Sequence, residues 1–152
     1  MYQRILVPVD DSETSAAAVR EATQFACEQK AVIRLVHVID LAQFAWSANE
    51  FLDVPQLQDA LRKSGKQLLE RHAEALREAG LHPEQELLEA WGGNLAQTIV
   101  DEASKWKAEL IAMGTHGFGG LTHLLLGSVA EGVMRATNVP ILLVRTPNNA
   151  SK

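Results

Sequence analysis

Six of the ten glycines lie in one stretch, residues 113–133, with the sequence MGTHGFGGLTHLLLGSVAEGV. Glycine lacks a Cβ, so it allows tight turns and a close approach of backbone to a ligand. Gly127 and Ser128 open a helical pattern, and the free amides of a helix N-terminus bind anions such as phosphate. The stretch therefore predicts a phosphate site, with a flexible loop as the alternative.

A second candidate is Asp10, which directly follows the apolar run at residues 5–9. An ionised carboxylate accepts hydrogen bonds from sugar hydroxyls and binds divalent cations that bridge phosphates. Asp10 and Glu13 also have the spacing of a helix capping box, so a purely structural cap is the alternative. The sequence alone leaves both interpretations of Asp10 open.

The histidines are weaker candidates for a binding site than the glycines and Asp10. His37 is interpreted as a partly buried strand residue that hydrogen-bonds backbone, and His72 as a surface position on a helix. Histidines and carboxylates nowhere share the spacing of a zinc site, so we expect no such site.

Strands and helices alternate along the chain. Short apolar or β-branched runs predict strands, and apolar residues at helical spacing predict helices, with Ser12 or Asp10 and Asn94 as candidate caps. Residues 41–54 show no clean period and predict a loop or a short helical piece. Strands are predicted at residues 5–9, 32–39, 85–91, 110–113 and 139–145, and helices at 13–30, 55–80, 94–106 and 127–137.

This alternation predicts one α/β domain over residues 1–145, a doubly wound parallel sheet with helices on both faces, followed by a disordered tail at 146–152. Ligands of such sheets bind beyond the carboxyl ends of the strands, where the strand order reverses. The first strand delivers Asp10 to that edge and the fourth delivers Gly114. We therefore expect the two candidate regions to meet there.

Composition restricts the function. The net charge of −5 over 152 residues opposes binding to nucleic acid, which needs a basic surplus. No apolar run approaches the ~18 residues of a membrane span. The single Cys27 cannot form an internal disulfide, and no signal-peptide pattern opens the chain. We expect a cytoplasmic protein that binds neither nucleic acid nor membrane.

Two common phosphate signatures are missing. The chain has no G-x-x-x-x-G-K-[ST] loop, and Gly117-x-Gly119 does not extend to G-x-G-x-x-G because Thr stands at position 122. The spacing that does occur is Gly114-x2-Gly117-x9-Gly127-Ser128. With ILVPVDDSE, VHVID, MGTHG and NVPILLVR, it closely resembles the ATP-binding branch of the universal stress protein family, over residues 2–145.

The resemblance implies strand order 3-2-1-4-5, with ATP lying across the ends of the first and fourth strands. Val9 and Val38 would flank adenine or hydrogen-bond it through backbone, and Asp10 and Gly114 would face the ribose. Mg²⁺ or Mn²⁺ would bridge the phosphates, with Asp10 as the protein ligand. The implied nucleotide site consists of Pro8, Val9, Asp10, Val38, Met113, Gly114, His116, Gly117, Gly127, Ser128 and Val129.

The resemblance also implies a homodimer through the last strand, residues 139–145. We expect a regulatory or stress-response module that binds ATP and hydrolyses it slowly at most, because neither a P-loop lysine nor a paired general base is evident. The alternatives are an adenylyl- or phosphoryl-transferring enzyme of the same architecture and an interaction protein that binds no nucleotide.

Overall fold

The computed structural model of the protein describes residues 2–44, 53–115 and 127–145. Five strands and four α-helices alternate along the described chain, and a short 3-10 helix, Leu41–Phe44, follows the second strand. The strands are β1 (Arg4–Pro8), β2 (Val32–Asp40), β3 (Glu84–Ala90), β4 (Leu110–Gly114) and β5 (Ile141–Val144). The helices are α1 (Glu13–Gln29), α2 (Val54–Glu78), α3 (Leu95–Trp106) and α4 (Ser128–Ala136).

The strands form one parallel sheet in the order β3-β2-β1-β4-β5, which confirms the predicted fold. Successive side chains of a strand point to opposite faces. Ile5, Val7 and Ile33 therefore pack with α1 and α2 on one face, whereas Leu6 and Ile111 pack with α3 and α4 on the other. Of the helices described, none is apolar over a length sufficient to cross a bilayer.

The loop between β1 and α1 is fixed by local hydrogen bonds. Ser12, not Asp10, caps α1, because its Oγ accepts from the Ser15 amide at 3.1 Å. Asp10 Oδ1 instead accepts from the Ser12 amide at 2.8 Å. Asn94 occupies the cap position of α3, as expected, although its side chain makes no capping hydrogen bond. Asp10 is thus held beside the helix without serving as its cap.

A charged cluster joins β2, β3 and α3 on the sheet. Arg34 pairs with Glu84 at 2.6 Å and with Glu102 at 2.5 Å, and Glu102 is buried. The guanidinium groups of Arg4 and Arg34 lie 4.4 and 5.0 Å from the centre of the Trp106 ring. A buried carboxylate needs such partners because an unpaired charge is costly to remove from water.

Candidate functional site

A cavity lies at the carboxyl edge of the sheet, where the chain passes from β1 to one face of the sheet and from β4 to the other. Its volume is about 330 Å³, counting the part open to solvent. The ends of β1 and β4 and the first turns of α1 and α4 form its walls. The described lining consists of Pro8, Val9, Asp10, Ser15, Met113, Gly114, Gly127, Val129 and Ala130. The two candidate regions predicted from sequence therefore meet.

Asp10 supplies the carboxylate of this cavity. Its side chain is only 7% exposed, and the Ser15 hydroxyl accepts a hydrogen bond from its backbone amide at 2.9 Å. Ser15 lines the cavity and was missed by sequence reasoning, as was Ala130. Ser15 lies five residues beyond Asp10, in the first turn of α1, and the path of the loop between them brings the two together.

The helix α4 begins at the opposite wall with Gly127 as its cap residue. The Gly127 amide donates to the Thr115 carbonyl at 2.6 Å, and the first bond inside the helix runs from Glu131 to the Gly127 carbonyl. The amides of the three residues between them therefore have no partner within the helix. These donors, from Ser128 to Ala130, and the positive end of the helix dipole form an anion-binding arrangement.

Gly114 is explained by packing as well as by the cavity. A Cβ at this position would lie 2.7 Å from the carbonyl carbon and 2.8 Å from the oxygen of Thr14. The absent side chain thus lets the first turn of α1 approach the end of β4. The glycine pattern predicts that Gly114 lets the backbone approach a sugar or phosphate. It gives no indication of the contact with α1.

Val38 offers backbone groups at the same edge. Val36 accepts a hydrogen bond from the Val9 amide at 2.8 Å, so the Val36 carbonyl points toward β1. Alternate residues of a strand direct their backbone groups to the same neighbour, so Val38 also points that way. The pairing of β1 with β2 ends at Pro8 and Val36, two residues before Val38. Val38 therefore presents its N–H and C=O where no β1 partner stands opposite.

Two of the predicted site residues, His116 and Gly117, lie outside the described residues, as does the stretch 45–52. Ser128 is exposed at the first position of α4, next to the residues that line the cavity. In the part of the chain that the structure describes, no three His, Cys, Asp or Glu side chains gather as a metal site. A divalent ion here would draw on Asp10 and on a ligand's own oxygens.

Two histidines lie beneath the end of β1. His37 Nδ1 is 2.7 Å from the Val9 carbonyl oxygen, which confirms that His37 bonds backbone. His72 is half-buried beside the backbone of Asp10, so its assignment to the surface was wrong. Burial lowers the pKa of His72, the backbone and carboxylate of Asp10 oppose this, and the nearby Arg71 lowers the pKa further.

This direction predicts a pH-dependent stability. The pKa of His72 is lower in the folded protein than its value of about 6.5 in the unfolded chain. The unfolded chain therefore binds a proton first, and the free energy of unfolding decreases as pH falls below about 6.5. We expect urea melts of a His72→Gln variant to lose less stability between pH 7.5 and 5.5 than the wild type. Equal losses, or the same change in a His82→Gln control at an exposed site, would contradict the assignment to His72.

Comparisons with known proteins agree with this architecture. Residues 1–145 match the model of the universal stress protein family. The chain is 35% identical over 147 residues to the universal stress protein MJ0531 of Methanocaldococcus jannaschii, covering 97% of this chain and 84% of that one. The solved structure of MJ0577 has a TM-score of 0.84 at 31% identity, covering 98% of this chain and 99% of that one. A universal stress protein solved in complex with cAMP has a TM-score of 0.70 at 25% identity, covering 96% and 99%.

Proposed function

This chain belongs to the universal stress protein family, and from that premise we propose that it binds ATP as a regulatory module of a stress response. The observation that carries the proposal is the cavity between Asp10 and the N-terminus of α4, which sets a carboxylate opposite free amides. The solved family member in complex with cAMP supports an adenine nucleotide as the ligand class. We propose that the protein acts in the cytoplasm, whose reducing conditions suit the free, exposed Cys27.

Adenine recognition is proposed at Val38. One donor and one acceptor on a strand edge match the adjacent ring nitrogen and amino group of adenine, whereas guanine presents a different order of donors and acceptors. Val9 cannot contribute its amide, which already donates to Val36. We therefore propose that Val9, which lines the cavity, flanks the adenine without a hydrogen bond from its amide.

The phosphates are proposed to lie at the N-terminus of α4. The amides of Ser128, Val129 and Ala130 and the Ser128 hydroxyl are donors, and phosphate oxygens are acceptors only. Gly127 brings this helix start against the end of β4 through its bond to Thr115. His116 and Gly117 remain part of the proposed site on the strength of the family pattern alone.

The bound form is proposed to include Mg²⁺ or Mn²⁺. Asp10 fits this role in part: Ser12 occupies Oδ1, and Oδ2 has no bond among the described residues. One carboxylate with substrate phosphates and water is a usual environment for Mg²⁺. The same oxygen suits a ribose hydroxyl, and the proposal assigns Asp10 to one or both of these ligands.

We propose binding with slow hydrolysis at most. Asp10 is the one ionisable side chain in the described lining of the cavity, and no lysine or arginine joins it there. Rapid phosphoryl transfer uses cationic groups and a residue that orients the nucleophile. A turnover assay that separates ADP, AMP and pyrophosphate tests this, and a kcat above ~1 per second would favour the transferase alternative.

Thermal unfolding tests the binding itself. ATP at ~100 times its Kd is expected to add ~2.7 kcal/mol to the free energy of unfolding, which raises the Tm by about 5 to 11 °C for a chain of this size. GTP is expected to raise it much less. An unchanged Tm, in protein shown to carry no bound nucleotide, would favour an interaction protein without a nucleotide.

A homodimer through β5 is the second part of the proposal. β5 is an edge strand, and Ile141 and Leu143 direct their backbone groups outward, because Pro140 and Val144 accept bonds from β4. The strand carries no charge, whereas the opposite edge, β3, carries Glu84, Glu86 and Glu89. Charges discourage pairing at an exposed strand edge, so β5 is the edge suited to a second copy.

A Leu142→Lys variant is expected to shift the protein from dimer toward monomer. Leu142 is 36% exposed on β5, and two lysines across a two-fold axis would repel each other. Light scattering coupled to gel filtration measures the mass. Val32→Lys is the matched control, since Val32 is 39% exposed on β2 and should leave the mass unchanged. A wild type that is already monomeric would contradict the proposed dimer.

A further inference from the structure

Two histidines from different elements lie beside consecutive residues at the end of β1. A carbonyl oxygen only accepts, so His37 Nδ1 donates to the Val9 carbonyl at 2.7 Å. His72 interacts with the backbone of Asp10, the next residue. His37 belongs to β2 and His72 to α2, so both contacts come from elements other than β1.

The remaining polar groups of this segment are also occupied. The Val9 amide donates to Val36 at 2.8 Å, and the Asp10 amide donates to Ser15 Oγ at 2.9 Å. Ser12 donates to Asp10 Oδ1 at 2.8 Å. Among the described contacts, Asp10 Oδ2 accepts no hydrogen bond, and Asp10 lines the cavity.

Close packing fixes the His37 ring as well. A Cβ on Gly65 of α2 would lie 3.1 Å from His37 Cδ2 and 2.6 Å from Leu87. The missing side chain lets α2 press directly on the ring, and the same helix carries His72 two turns later. α2 thus holds both contacts in place from outside the cavity.

We propose that His37 and His72 are positioning residues of the nucleotide site, which fix the two peptide units that carry Asp10 so that Oδ2 keeps one direction toward the ligand. The inference rests on the proposed nucleotide function. Asp10 lies beyond the last hydrogen bond between β1 and β2, and a site held by locked neighbours loses less freedom when the ligand binds. Neither histidine lines the cavity, so each acts through Asp10.

Paired variants test the donors. His37→Leu removes the donor, whereas His37→Asn places an amide nitrogen close to the position of Nδ1. Isothermal titration with Mg-ATP is expected to show affinity about 5 to 10 times weaker for His37→Leu and His72→Ala, as for one lost hydrogen bond, and near-native affinity for His37→Asn. His82→Ala, at an exposed site, is the control and should bind like the wild type.

A double-mutant cycle separates positioning from general stability. If the histidines act through Asp10, His72→Ala should weaken binding much less in an Asp10→Asn background. The same loss in both backgrounds, or an affinity within twofold of the wild type for both donor-free variants, would overturn this inference and leave nucleotide binding intact. A wild type that does not bind Mg-ATP would overturn the proposed function together with the inference.

Discussion

A Gly114→Ala variant is expected to unfold at a lower temperature than the wild type in the absence of any ligand. The added methyl group would lie 2.7 to 2.8 Å from backbone and side-chain atoms of Thr14. Backbone cannot move aside as a flexible side chain can, so α1 must shift away from the end of β4. Overpacking of this kind costs about 1–3 kcal/mol, or roughly 2 to 12 °C in Tm for a chain of this size.

Ser128→Ala is the control for this experiment. Ser128 lies at the same edge of the sheet but is exposed, so its truncation should change the stability by less than about 0.5 kcal/mol. Differential scanning calorimetry of both variants without nucleotide decides the matter. A Gly114→Ala protein with wild-type stability that has lost ATP binding would show that the glycine serves the ligand and not the contact with α1.

A Ser128→Asp variant is expected to lose ATP affinity without losing stability. A carboxylate in the first turn of α4 interacts favourably with the helix dipole, by about 0.3–1 kcal/mol. The same charge lies where the phosphates are proposed to bind. Two like charges about 4 Å apart near a protein surface repel with up to ~4 kcal/mol before salt screening, so we expect an affinity about 10 to 100 times weaker.

Adenosine is the control ligand for this variant. Adenosine lacks phosphates, so its affinity should be nearly the same for Ser128→Asp and for the wild type. Gln97→Asp, which adds a charge to the exposed first turn of α3, should leave ATP affinity within twofold. Equal losses for adenosine and ATP, or no loss for either, would place the phosphates away from α4.

The fold was predictable because its signals are local. The run Ile5–Val9 is buried and apolar, as a strand covered on both faces must be, and β2 is rich in β-branched residues, which favour strands. Boundaries were less certain: Trp91 was assigned to the third strand, yet β3 ends at Ala90 and Trp91 is 62% exposed. One aromatic residue beside two glycines does not show where a ladder stops.

The site was predictable only in part. Asp10 and the start of α4 follow strand ends and glycines that are visible in the sequence. The role of His72 depends on how α2 packs onto the sheet, and the role of Ser15 depends on the path of the loop before α1. No sequence pattern indicates either. His72 shares the apolar stripe of α2 with Leu68 and Leu76, and that position was the one available sign that it faces inward.

A second cavity in the described chain could also attract ATP. A groove of about 860 Å³, counting the part open to solvent, lies between α2 and β3 and is lined in part by Lys63 and Lys66. Lysines attract phosphates, but the described lining of this groove contains no helix N-terminus. For the proposed function to hold, ATP must prefer the smaller cavity at the end of β1 and β4.

Backbone amide NMR during a titration with Mg-ATP tests this requirement most directly. We predict saturable shifts of the amide signals of Val38, Ser128, Val129 and Ala130, because these donors are proposed to bind adenine and phosphate. The signals of Lys63 and Lys66 should remain unchanged. Saturable shifts at the two lysines, with the four amides of the sheet edge unaffected, would contradict the account.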